Sequence, residues 1–137
     1  MFTTQVYKVM IGSLSGTMEE VYAAKETIRK WNLDNAKRSG KLFLPVEWSM
    51  KVDPSSIDVV IGIVGNWVDN TCFIEECLKE GKQVKLFFND FQDPRNTIQS
   101  EHNEVKAFRD NMDECCCVSY CGLIDFCRVL DGQLQSI

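Results

Sequence analysis

Apolar positions recur along this chain in two alternating rhythms, and the alternation predicts five strands and four helices. Tyr7, Val9, Met10 and Ile11 read as a buried strand that ends at Gly12-Ser13. From Thr17 to Trp31, Met18, Val21, Ala24, Ile28 and Trp31 fall at spacings of three and four, an apolar stripe on an otherwise charged helix. Asn32 to Gly40 is polar and ends in glycine. Lys41 to Trp48 is a second strand, with Pro45 placing it at a sheet edge, and Met50 to Ser56 is a loop. Ile57 to Gly65 is an almost unbroken β-branched run, as expected of a central parallel strand covered on both faces. A short helix, Thr71 to Lys79, is stopped by Gly81, and Gln83 to Phe88 is the fourth strand. Asn89 to Glu101 is a loop with a turn at Asp93-Pro94. His102 to Met112 is a helix, Cys115 to Ser119 a fifth strand, and Gly122 to Leu134 a last helix with Leu123, Phe126, Cys127 and Leu130 facing in.

Strands alternating with helices over 137 residues predict one flavodoxin-like domain spanning 1–137. Its layers are α/β/α, with a five-stranded parallel sheet of order 2-1-3-4-5 and right-handed crossovers. In that order a crevice opens between the C-terminal ends of strands one and three. Gly12, Ser13 and Ser15 reach it from one side, and Gly65, Asn66 and Trp67 from the other. Gly12 permits close backbone approach, and Ser13, Ser15 and Thr17 set hydroxyls beside a helix N-terminus. Thr17 to Glu20 fits a capping box. Such a site attracts anionic groups or sugar hydroxyls. Trp67 has two readings, a platform for a base or a lid on the core.

A composition of 45% hydrophobic and 26% charged residues is that of an ordinary single domain. The formal net charge of −5, with no dense Lys/Arg block, argues against duplex nucleic acid or an anionic membrane as partner. No run of about 18 apolar residues occurs, and the first residues lack the basic-then-apolar order of a secretion signal, so a cytoplasmic protein is expected. There, the seven cysteines should be reduced. Cys117, Cys121 and Cys127 do not form paired CxxC motifs and the only histidine is His102, so no metal site is expected. Cys115-Cys116-Cys117-Val118 is read as small apolar side chains packing inward.

The runs KVMIGSLSGTMEEVYAAKETIRKWN, KLFLPVEWS, IDVVIGIVG and EECLKEGKQVKLFF resemble the TIR-like domain of the nucleoside 2-deoxyribosyltransferase-like superfamily, a domain of bacterial proteins with defence roles. The resemblance covers roughly residues 6 to 110. Its most telling pieces are Ile11-Gly12-Ser13, Leu44-Pro45-Val46-x-Trp48 and Gly81-Lys82-x-Val84. It implies a pocket for a nucleoside or NAD, bound as ligand or substrate rather than as a resident cofactor, and self-association into a homo-oligomer. In enzymes of that superfamily, a glutamate on the helix after strand three stabilises the ribose carbon while the C–N bond breaks.

At the place of that glutamate, counted back from Gly81-Lys82, this chain has Phe73. Glu75 and Glu76 follow about 200° and 300° around the helix, so Glu76 is closer in direction to Phe73. Two readings follow. One is a nucleotide-binding TIR-like protein that cleaves the N-glycosidic bond of NAD or a nucleoside, with Glu76 or Glu75 as the carboxylate. The other is a catalytically silent binding or self-assembly module. A flavin-binding redox protein is disfavoured, because the first loop lacks the dense Ser/Thr/Gly run that wraps a flavin phosphate.

Overall fold

In a computed structural model, described over residues 4–13, 17–47, 53–65, 71–90 and 99–137, five parallel strands form one sheet. They are β1 (Gln5–Ser13), β2 (Lys41–Glu47), β3 (Val59–Val64), β4 (Gln83–Asn89) and β5 (Cys117–Tyr120). The order is β2-β1-β3-β4-β5, as the alternation of elements predicts. Four helices flank the sheet: α1 (Met18–Ser39), α2 (Cys72–Lys79), α3 (Gln99–Asp110) and α4 (Gly122–Ser136). Side chains alternate across a strand, and the core divides accordingly. Val9, Ile11, Val59, Ile61, Ile63 and Phe87 face α1 and α4, where Ile28, Trp31, Phe126 and Leu130 meet them. Met10, Val60, Val64, Leu86 and Phe88 face the other way, toward Ile74 and Cys77 of α2 and Val105 and Phe108 of α3. The result is a three-layer, flavodoxin-like fold. All six residues of β3 are buried, which is why that strand reads as a continuous apolar run.

Several boundaries differ from the sequence reading. α1 does not stop at Trp31 but continues to Ser39, and Gly40 ends it in the left-handed conformation at φ 72°. The polar composition of 32–39 marks a solvated helix face, with Lys37 and Arg38 complementing the dipole in its last turn. Asn32 has a specific task there. Its carboxamide accepts from the Phe43 N–H at 3.0 Å and donates to the Phe43 carbonyl at 2.8 Å, so α1 saturates the outer edge of β2. Two residues away on either side, the Lys41 N–H bonds Ser39 Oγ at 3.2 Å and Pro45 has no N–H to offer. The outward N–H groups of β2 from Lys41 to Pro45 are thereby bonded or absent, which blunts this edge.

The inward cysteine run is also corrected. Residues Glu114–Cys116 form a 3-10 turn that leaves Cys115 exposed and Cys116 and Cys117 half-buried, and β5 runs from Cys117 to Tyr120. The polar Asp113-Glu114 pair keeps this entry at the surface, and the Cys116 N–H donates to the Asp113 carbonyl at 2.9 Å. α3 begins at Gln99 rather than His102. Met18 and Leu123 lie in the first turns of α1 and α4 and remain 51% and 41% exposed, so the inward faces are carried by Val21, Ala24 and Ile28 and by Phe126 and Leu130. Among the described residues no helix is long and apolar enough to cross a membrane.

Candidate functional site

The sheet order reverses at β1, whose two neighbours are β2 and β3, so the connections leave in opposite directions at the C-terminal ends of β1 and β3. Open α/β sheets bind ligands at this kind of switch point. Gly12 stands beside Gly62 and Ser13 beside Ile63 in register. Both glycines are buried and carry no side chain onto the α2 face, where Leu86 is the next neighbour in register.

On the opposite face, Ser13 begins a hydrogen-bond relay. The Thr17 N–H donates to Ser13 Oγ at 2.6 Å, the two hydroxyls lie 2.9 Å apart, and Thr17 Oγ1 donates to the Ile63 carbonyl at 3.2 Å. Because the Thr17 proton goes to Ile63, the Ser13 hydroxyl is the donor within the pair. Both hydroxyl protons are then committed, so any further partner of the pair must be a donor. That chemistry suits a ligand that donates, such as a sugar hydroxyl, better than a phosphate.

The capping box expected of Thr17 and Glu20 does not form, since Thr17 makes no side-chain bond to the helix amides. The hydroxyl is diverted to β3, and the Glu20 carboxylate lies 3.5 Å from the Tyr120 hydroxyl, which donates to it. Tyr120 is 1% exposed at the end of β5, and its phenol is held far above the usual tyrosine range, by burial first and by the Glu20 carboxylate second. The pair ties the first turn of α1 to the far strand. Glu19 and Glu20 place acidic charge in that turn, further disfavouring a polyphosphate there.

α2 turns Ile74 and Cys77 fully inward, with Phe73 half-buried against the same cluster, while Glu75 and Glu76 are exposed. Burial holds the Cys77 thiol above its usual range, with Glu80 and Glu76 adding to the effect. Gly65 is half-buried just beyond β3. Ser15, Asn66, Trp67, Trp48 and Asp93 lie outside the described residues.

Asp90 is engaged away from the switch point. Its N–H donates to the Tyr120 carbonyl at 2.7 Å, and its carboxylate pairs with Arg109 at 3.3 Å. Arg109, which sequence reasoning passed over, also bonds Ser119 Oγ and lies over the Phe88 ring at 4.9 Å. With Asp110, Met112, Glu114 and Cys117 it lines a shallow cleft of 370 Å³. Nothing in its sequence position marks Arg109, because its partners come from β4 and β5. Among the described residues, no three His, Cys, Asp or Glu side chains converge to hold a metal, and all seven cysteines are free. No protein-family model matches this chain, and no curated protein matches it either.

Proposed function

We propose that this chain is a TIR-like protein that binds a nucleotide-type ligand, NAD or a nucleoside, by its ribose at the C-terminal edge between β1 and β3. The observation that carries the reading is the Ser13–Thr17–Ile63 relay at the switch point, which offers acceptors to sugar hydroxyls. Gly12, paired in register with Gly62, ends the same strand beside it. The resemblance in residues 6 to 110 adds the ligand class. Cleavage of the N-glycosidic bond would develop oxocarbenium character on the ribose, and Glu76, then Glu75, is the carboxylate assigned to stabilise it.

A second reading, binding or self-assembly without turnover, is favoured by α2 itself, where Phe73 packs inward and both glutamates are exposed. One experiment separates the two. The protein is incubated with NAD and a panel of nucleosides, free base and sugar are followed by chromatography, and binding is followed by calorimetry. Released nicotinamide or nucleobase supports the glycosidase, and heat of binding without product supports the silent module. Neither heat nor product with any ligand removes the nucleotide-binding reading.

A further inference from the structure

The sheet register collects further polar groups on the relay's face of the C-terminal edge. Ser13 stands beside Ile63, Ile63 beside Phe87, and Asn89 beside Tyr120. Because side chains alternate along a strand, Ser13, Ile63, Asn89 and Tyr120 all belong to the face that α1 and α4 cover. From the first turn of α1, Thr17 reaches the Ile63 carbonyl, and Glu20, three residues on, meets the Tyr120 hydroxyl. Helical residues three apart have Cβ atoms about 5–6 Å from each other. The half-buried Glu20 therefore neighbours the relay, whereas Glu75 and Glu76 are exposed on the helix of the opposite face. We propose that Glu20 is the sugar-specificity residue of this edge: together with the Ser13–Thr17 pair it takes the two hydroxyls of a ribose cis-diol, so that the protein selects ribonucleosides over 2′-deoxyribonucleosides. The inference rests on the nucleotide-binding reading above.

The count of donors and acceptors carries the argument. The Thr17 hydroxyl proton goes to Ile63 and that of Ser13 to Thr17, and an ionised carboxylate has no proton, so each of these side chains can only accept from a ligand. Tyr120 donates to Glu20 Oε1 at 3.5 Å, and among the described residues Oε2 has no partner. A phosphate brings acceptors and negative charge to such a rim, whereas a ribose brings two adjacent O–H donors. The bond to Glu20 is charge-assisted and hence the stronger of the two. A 2′-deoxy sugar leaves one acceptor without its donor, the kind of loss on which hydrogen-bonding sites discriminate most sharply. Tyr120 is a positioning residue here, since its hydroxyl bonds Glu20.

The test is calorimetry on the full chain with NAD, adenosine, guanosine, cytidine and uridine, and with the 2′-deoxy form of each nucleoside. Wild type should bind its best ribonucleoside at least about tenfold more tightly than the 2′-deoxy form. Glu20→Gln, which turns one acceptor oxygen into an N–H donor, should weaken the ribonucleoside about tenfold and leave the 2′-deoxy form within about twofold. Tyr120→Phe should reduce the same preference by less, and it serves as the test where circular dichroism shows Glu20→Gln unfolded. A purely structural clamp predicts equal losses for both sugars. That result overturns Glu20 as the specificity residue while nucleotide binding stands. So does a wild type blind to the 2′-hydroxyl, or a preference that survives Glu20→Gln, or survives Tyr120→Phe where Glu20→Gln does not fold. No binding of any probe by wild type removes the nucleotide reading, and this inference with it.

Discussion

The two faces of the sheet are built differently. On one, α1 and α4 together cover strands from β2 to β5, so that Phe43, Ile61, Phe87 and Tyr120 are all buried beneath them. On the other, the eight-residue α2 packs on β3, β4 and the Pro54–Ser56 turn, and at the β1–β2 end Val6 and Leu44 stay 48% and 46% exposed. The hydroxyl relay belongs to the thick layer and the two candidate glutamates to the thin one. On the function proposed above, the sugar would lie against the thick layer and the carboxylate for cleavage would come from the thin one.

The largest expected effect tests that contrast directly. Phe126 is fully buried and meets Phe87 and Tyr120 edge-on at 5.4 Å and 5.0 Å. Phe126→Ala should cost about 3–5 kcal/mol in urea unfolding, against less than about 1.5 kcal/mol for Leu44→Ala on the thin face. Equal losses would erase the difference between the layers. Next, Thr17→Val keeps the side-chain shape but removes the hydroxyl's bonds to the Ile63 carbonyl and to Ser13 Oγ, and should cost about 1–2 kcal/mol and weaken nucleoside binding about tenfold by calorimetry. A stable variant with full affinity would remove the relay from the site.

Tyr120→Phe should cost about 1 kcal/mol at neutral pH. The phenol is held above its ordinary value near pH 10, so its contribution is complete below about pH 10 and is lost as pH rises beyond it. Wild-type stability should fall there more steeply than that of the Phe variant, and parallel alkaline profiles would contradict a buried neutral phenol. The smallest stability effect is expected at exposed Glu76, where Glu76→Gln should stay within about 0.5 kcal/mol of wild type. Where turnover exists, the same change should remove most of it while leaving affinity within about tenfold. Where it does not, Phe73→Glu should create it, and failure in both would leave the silent module standing.

Much of this architecture is legible in the chain. The unbroken β-branched run of β3, the proline of β2 and the glycines at 40 and 81 lead to the observed strand order and helix ends, because periodicity and backbone freedom act locally. Asn32 shows where locality fails. It opens the polar run beyond the apolar stripe that ends at Trp31, yet sits within α1, where it bonds the backbone of Phe43 on another element. Cys115 to Cys117 read as core, yet a surface turn precedes the short edge strand and leaves one of them in solvent.

The candidate site divides in the same way. Sequence alone determined that Gly12, Ser13 and Thr17 end one strand and open one helix beside another strand end, since these follow from residue type and spacing. Only the tertiary structure decided that Thr17 bonds Ile63 instead of capping α1, that Glu20 meets Tyr120 across the molecule, and that α2 turns Phe73 inward and Glu75 and Glu76 outward. Those choices depend on which partner comes within hydrogen-bonding or packing distance, and that proximity exists only once the strands are ordered and the helices are seated.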